Sequence, residues 1–378
     1  MKPLPPDTPE QALITQYKGS LLVVRAYAGT GKTTTLVKYA HNNLNSRILY
    51  IAYNRGIRDE AREKFPANVD CKTSHQLAYA TIGRSYQHKL TGNLRLTDIA
   101  QAVDTKNWTI AKDILDTLNA FMSSADFRIL YTHFARADTG KVLTTKQTQY
   151  ISQVVEGAEF VWSKMTTPED PFPTVHDCYL KQYQLGMPNL SRRYTTILFD
   201  EAQDSNPVTS SIVLQQHCKV ILVGDRHQQI YRFRGANNAL DSKDLAGADQ
   251  LYLTHSWRFG RNVAIVANAL LELKGETLPV VGRGASDQVV MFLPQDVGHR
   301  TVIHRTVMGV IETALAATAE GKKVYWVGGI DAYQINELQD IYWYAMAAPD
   351  RVRNKKLLDD FQDYGEYQEV AKATKDPE

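Results

Sequence analysis

From Leu21 onward the chain alternates apolar, β-type runs with segments of helical spacing. The runs Leu21–Val24, Ile48–Tyr53, Thr196–Phe199 and Val220–Val223 are continuously apolar, and each ends where polar or glycine-containing sequence begins. Strands of that kind are covered on both faces, so the pattern predicts a parallel sheet between helices. Such sheets bind ligands at the carboxyl ends of their strands. Between about Gly83 and Pro173 the strand signal fades. Asp104–Met122 and Lys146–Lys164 have helical spacing with charged faces, which predicts a helical insertion. A second α/β pattern begins near Leu251, with strands expected at Val289–Leu293, Thr301–His304 and Lys323–Val327 and helices at Gly309–Ala319 and Tyr333–Met346. The predicted organisation is a first α/β lobe from residues 1–83 and 173–245, a helical insertion over 84–172 and a partial second lobe over 246–378. The polar tail from Lys372 is expected to fray.

Composition narrows the class. Of 378 residues, 43% are hydrophobic and 22% charged, a balance that argues against a mostly disordered or fibrous chain. No apolar run approaches the roughly eighteen residues needed to span a bilayer, so no membrane association is expected. The start, Met1-Lys-Pro-Leu-Pro-Pro-Asp7, lacks a secretory apolar stretch. With 43 Lys+Arg against 41 Asp+Glu, any nucleic-acid binding must come from a local groove. Cys71, Cys178 and Cys218 are scattered and odd in number, which disfavours a disulfide framework or a zinc site and suits a reducing, cytoplasmic setting.

Ala26-Tyr-Ala-Gly-Thr-Gly-Lys-Thr33 lies between a predicted strand and a helix starting near Lys32, and reads as a phosphate-binding loop with Ala26 in place of the usual first glycine. Gly29 and Gly31 permit the tight turn, backbone N–H groups from Ala28 to Thr34 converge on phosphate oxygens, and the helix N-terminus adds positive potential. Lys32 is placed for the β- and γ-phosphates of ATP and the Thr33 hydroxyl for Mg²⁺. A lone Asp-Glu pair after a buried strand is ordinarily a solvated turn. Paired with a phosphate loop, Asp200 and Glu201 in Ile197-Leu-Phe-Asp-Glu-Ala-Gln-Asp204 read instead as the metal-side carboxylate and the base for an attacking water.

Together the motifs resemble superfamily 1 helicases of the UvrD/Rep type, and most closely the F-box DNA helicase branch. The resemblance rests on Thr8-Pro-Glu-Gln11, Ala28-Gly-Thr-Gly-Lys-Thr33, Ile51-Ala-Tyr-Asn54, Thr73-Ser-His75, Asp200-Glu-Ala-Gln-Asp204, Gly224-Asp225, Gln228-Gln-Ile-Tyr-Arg-Phe-Arg-Gly-Ala236, Ser256-Trp-Arg-Phe-Gly260 and Lys323-Val-Tyr-Trp-Val-Gly-Gly329, in the family's order. It implies a P-loop NTPase with a RecA-like parallel sheet, a helical insertion and a partial second RecA-like lobe. It further implies that Gln11 contacts the adenine edge, with Trp257 nearby. Gln228 would sense the γ-phosphate, and Arg258 would reach it from the second lobe. For single-stranded DNA it implies stacking on Tyr53, His75, Tyr231 and Phe233 with Arg234 beside them, a mode that tolerates any sequence. For His176 and Asp177, in Thr174-Val-His-Asp-Cys-Tyr-Leu-Lys181, two readings stand, contact with DNA or packing of the return from the insertion, and packing is the expectation.

The family's later motifs, including the one that supplies a further arginine, do not follow, and the chain contains no Thr-Arg dipeptide. Two expectations result. The first is the N-terminal part of an ATP-dependent 3′→5′ DNA helicase or translocase, whose missing C-terminal half or a downstream partner would complete it. The second is a short nucleotide- and DNA-binding module that does not unwind. The open tail favours the first. A phosphate-loop kinase is the third reading, and it leaves the Gln-Gln-Ile-Tyr-Arg-Phe-Arg segment unexplained.

Overall fold

The computed structural model describes residues 6–134, 143–230, 238–292 and 298–374. Helix α1 (Pro9–Thr15) opens on a capping box in which the Thr8 hydroxyl accepts from the Gln11 N–H and the Gln11 side chain accepts from the Thr8 N–H. There follow β1 (Leu21–Ala26), α2 (Lys32–His41), β2 (Ile48–Ala52), α3 (Arg55–Lys64), β3 (Val69–Thr73) and α4 (Ser74–Thr81). The next segment holds β4 (Leu90–Thr91), α5 (Leu96–Ala102), α6 (Trp108–Ser123), α7 (Thr145–Thr166), β5 (Thr174–Val175) and α8 (His176–Leu185). The chain then returns through β6 (Thr196–Phe199), α9 (Pro207–Leu214), β7 (Lys219–Gly224), β8 (Asp249–Leu253), β9 (His255–Ser256), α10 (Arg261–Leu273) and β10 (Val281–Gly282).

Six of these strands form one sheet in the order β3–β2–β6–β7–β1–β8, with every neighbouring pair parallel. All residues of β2 and β6 are buried, as continuous apolar runs require. One face of the sheet sends Val23, Leu49, Ile51, Ile197 and Leu222 into a core with α4, α8 and α9. The other sends Leu22, Val24, Ile48, Tyr50, Leu198 and Ile221 against α1, α2 and α3. The sheet claims more chain than the sequence pattern assigned to it. β8 pairs with β1 from Leu22↔Asp249 to Ala26↔Leu253, so the strand near Leu251 closes the first sheet and does not open a second. Pairing with an existing strand, which supplies the hydrogen bonds, outweighs proximity in sequence to the segments that follow.

The inserted helices own a third core, built from Ile99, Ile114, Leu118, Phe121, Val154, Val161 and Met165. Lys181 of α8 ties this core to the sheet. Its ammonium group is fully buried, donates to the Ser124 and Asp126 carbonyls and lies 4.5 Å from the Phe121 ring centroid. Burial lowers its pKa to about 8.

At the β3 edge, Asp70 accepts from the Tyr194 hydroxyl at 2.6 Å and pairs with Lys72 at 3.2 Å and Arg193 at 3.3 Å. Burial pushes the Asp70 pKa up, but the Tyr194 and Lys72 hydrogen bonds and the Lys72 and Arg193 charges outweigh it, and the net shift is downward. A lowered native pKa contributes stability above the unfolded carboxylate value of about 3.9, and that stability is lost as pH falls through the native value. Asp70→Asn should therefore cost roughly 1–2 kcal/mol at neutral pH. Thermal melts of both proteins should converge as the pH falls below the lowered native value of Asp70; a gap that persists there would mean that lost packing, not charge, explains the effect.

The chain divides into two compact units, Met1–Val289 and Val290–Glu378. The second contains α11 (Val307–Ala319), α12 (Ile335–Ala345), α13 (Lys355–Asp360) and α14 (Tyr364–Thr374). Both helices expected there form close to their expected bounds. The strands expected at Thr301–His304 and Lys323–Val327 do not form, and Val289–Phe292 is likewise not a strand, while Leu293 lies outside the described residues. A helix satisfies its own backbone, whereas a strand exists only by pairing. Among the described residues of this unit these runs have no partner strand, and Ile303 and Tyr325 are 88% and 84% exposed.

Candidate active site

At the end of β1, in the interior of the sheet, the chain turns through residues 27–31 into α2. Gly29 (φ +74°) and Gly31 (φ +80°) occupy the left-handed region. Gly31 is the N-cap of α2 and provides no side-chain acceptor, so the first N–H groups of the helix remain available to an anion. Thr30, almost fully buried, braces the turn by donating to the Tyr27 carbonyl at 2.9 Å, while Ala28 and Thr34 flank it half-buried.

The side chains expected at the phosphates meet the carboxylates at the end of β6. Thr33 Oγ1 donates to Asp200 Oδ2 at 3.0 Å, and Lys32 Nζ lies 3.3 Å from Glu201 Oε2. Asp200 is 2% exposed and also accepts from the Tyr50 hydroxyl at 2.7 Å and the Glu201 N–H at 2.9 Å. Burial, and then the adjacent Glu201 charge, push its carboxyl above the ordinary range, which makes a nearby cation favourable. A hydroxyl and a carboxylate converging in this way fit Mg²⁺, an ion that takes few protein oxygens and fills its shell with water and phosphate. Glu201 itself sits at φ +50°, ψ +41°, a left-handed conformation that costs a non-glycine residue about 1–3 kcal/mol and is concentrated at functional sites.

Sequence reasoning assigned no role to Gln203, which the structure places at the junction of three motifs. Its amide donates to Glu201 Oε2 at 2.8 Å, and its carbonyl accepts from the Asp225 N–H at 3.0 Å. Asp225 in turn accepts from Gln228 Nε2 at 2.6 Å. Gln228 is thus linked to the candidate base through two buried residues. The signal was present in the run Glu201-Ala-Gln-Asp204, but only the neighbouring β7 shows what the glutamine holds.

Gln11 is nearly buried beside the phosphate turn, its amide nitrogen 3.1 Å from where a Cβ on Gly31 would lie. Arg258 differs from expectation: it lies two residues beyond β9 and belongs to the same compact unit as the phosphate turn, not to the second unit. The Trp257 N–H donates to the Gly29 carbonyl at 2.9 Å, and a Cβ on Gly29 would lie 2.4 Å from the Arg258 Cβ. Among the described residues the exposed Arg258 guanidinium makes no ion pair, and Trp257 is 56% exposed. The continuity of β8 with the first sheet explains the placement.

Tyr53 and His75 line a cavity of about 380 Å³ at the ends of β2, β3 and β6, together with Asp200, Glu201 and Asp204. His176 and Asp177 are exposed and line the same cavity, which corrects the expectation that they pack the return from the insertion. Their position at the first turn of α8 turns them away from the core that takes Cys178 and Tyr179. His75 Nε2 lies 3.0 Å from Asp177 Oδ1. With four carboxylates in the lining, the cavity suits aromatic stacking better than phosphate contact. Tyr231, Phe233 and Arg234 lie outside the described residues.

What assembles these groups is the adjacency of β6, β7 and β1, and the arrangement is that of a phosphate-loop nucleotide-binding protein. The profile of the UvrD/REP helicase N-terminal domain matches residues 7–244, and the chain belongs to that family. It is 33% identical over 383 residues to F-box DNA helicase 1 of Gallus gallus, covering 93% of this chain and 36% of the relative. It is 35% identical over 301 residues to F-box DNA helicase protein 1 of Schizosaccharomyces pombe (73% and 34%), and 26% identical over 320 residues to ATP-dependent DNA helicase PcrA of Leuconostoc citreum (76% and 42%). The chain spans between a third and just over two-fifths of the length of these relatives. No helix among the described residues is long and apolar enough to cross a membrane.

Proposed function

We propose that this chain hydrolyses ATP with Mg²⁺ and uses the energy to move along single-stranded DNA in the 3′→5′ direction, as the motor part of a DNA helicase or translocase. The observation that carries the reading is the junction of Lys32, Thr33, Asp200 and Glu201, with Arg258 seated against Gly29. Membership of a helicase family and the names of the relatives support the DNA side.

Lys32 and Glu201 pair directly, so an incoming γ-phosphate competes for the ammonium and releases Glu201. Glu201, held by Gln203, then takes the proton of the attacking water. Thr33 and Asp200 would hold Mg²⁺, which would supply charge neutralisation for the phosphates. Arg258 stabilises the charge that develops on the transferred group. Gln203 and Asp225 carry the state of the site to Gln228. On the other side, Tyr53 and His75 share a cavity with Glu201, which gives DNA contact a short route to the base. The free, buried Cys71 and Cys178 suit the cytoplasm.

A second reading, a nucleotide- and DNA-binding module without unwinding, is favoured for the chain as given by its lack of the family's further arginine motif. Phosphate release by the purified chain, with and without single-stranded DNA, tests both. Stimulation by DNA that weakens steeply with salt, together with unwinding of a tailed duplex, establishes the first. Stimulation without unwinding establishes the second, and hydrolysis indifferent to DNA excludes both.

A further inference from the structure

Glu10 reaches from the first turn of α1 to the strand end that carries Trp257 and Arg258. Its carboxylate accepts from the Thr254 N–H at 2.8 Å and from the Thr254 hydroxyl at 2.6 Å, and lies 3.3 Å from His255 Nδ1. Burial favours the neutral acid, but the Thr254 bonds and the His255 contact outweigh it and hold the carboxyl below its ordinary range. Four residues beyond Thr254 the chain has closed over the phosphate turn, with the Trp257 N–H on the Gly29 carbonyl and the Arg258 N–H on Ser256 Oγ. On its other side the segment is held by the stretch through β10, with the Val281 N–H on the Thr254 carbonyl, the Arg283 N–H on the Ser256 carbonyl and the Gly284 N–H on the Phe259 carbonyl, so that Glu10 is its side-chain anchor on the α1 side. The next residue along α1 is Gln11, which lies against Gly31. One turn of α1 therefore borders the phosphate turn at Gly31 and, through Glu10, holds the segment that covers it at Gly29.

We propose that Glu10 is a positioning residue for Arg258, fixing the Thr254–Arg258 segment so that the guanidinium is set against the phosphate turn when ATP binds beside Gln11. This rests on the reading of Arg258 as a γ-phosphate ligand. Because the Glu10 carboxylate bonds Thr254 and His255 and acts on the site through them, its loss should affect turnover more than nucleotide affinity. A displacement of about 1 Å in a catalytic group can cost on the order of 10²-fold in rate.

The test compares Glu10→Ala, Glu10→Gln, Arg258→Ala and the double variant in the full chain. Three quantities are read: turnover at saturating ATP and DNA, the ATP concentration at half-saturation, and the nucleotide-induced change in Trp257 fluorescence, assigned with Trp257→Phe. Glu10→Ala should lower turnover roughly 10- to 100-fold, shift half-saturation by less than about threefold and diminish the Trp257 signal. Glu10→Gln keeps an acceptor for Thr254 and should recover most of the turnover. In the double variant, removing Glu10 should add nothing to the loss from Arg258→Ala, as expected for groups acting as a unit. Additive losses, or weakened ATP binding with turnover intact, overturn the proposal. If Arg258→Ala alone leaves hydrolysis unchanged, the reading of Arg258 has failed and takes this one with it. If Arg258→Ala is crippled while Glu10→Ala is not, only the proposal about Glu10 fails.

Discussion

Glu201→Gln is expected to bind ATP as the parent does and to hydrolyse it about 10²–10⁴-fold more slowly, the span typical of losing a positioned general base. The amide is nearly isosteric and can still hydrogen-bond Gln203, so the strained backbone at φ +50° and the buried Asp200 beside it should persist. What it cannot do is accept a proton. The change also removes the negative partner of Lys32, which leaves that ammonium freer to hold phosphate, so nucleotide affinity should stay level or rise. Lys32→Ala provides the contrast: affinity itself should fall, because the cation is lost from the phosphate turn. Titration with a fluorescent ATP analogue and steady-state phosphate release separate the two outcomes. Undiminished hydrolysis in Glu201→Gln would move the role of base elsewhere, with Asp204 in the same cavity as the next candidate.

Arg258→Ala should cost about 10³-fold or more in turnover, the range for an arginine set against a transferring phosphoryl group. Nucleotide affinity should change far less, since a donor set to strengthen its contact as charge redistributes acts in the transition state more than in the ground state. Arg258→Lys should rescue little, because a point charge does not reproduce a planar, two-pronged donor. These expectations follow from the seat of Arg258 on Gly29 and from its lack of an ion pair among the described residues. An arginine that served only as surface charge would be replaceable by lysine or alanine with less than about 1 kcal/mol of consequence, and that result would remove it from the mechanism.

Much of the candidate site is legible in the sequence alone. The turn around Gly29 and Gly31, the lysine and threonine at the helix start and the carboxylates closing an apolar strand all depend on short-range sequence. The chemistry requires those residue types at fixed offsets, and the structure brings Lys32 to Glu201 and Thr33 to Asp200. Gln203 and Glu10 escaped because their roles depend on what lies opposite: the Asp225 N–H in one case and Thr254 in the other. His176 and Asp177 were misassigned because an apolar-polar pattern locates a helix start without showing whether its first turn faces a core or a cavity.

By itself, then, the sequence determined the phosphate turn, the strands buried on both faces, the inserted helices and the candidate chemistry, since each is encoded in local spacing and residue type. Only the tertiary structure decided which strand lies beside which. Pairing is a long-range event whose free energy comes from the ladder partner, and so the strand before Trp257 went to β1 and carried Arg258 into the first unit. The same principle left the apolar runs around Ile303 and Tyr325 outside any sheet: among the described residues of their unit they meet no partner strand, and a strand without one has nowhere to place its hydrogen bonds.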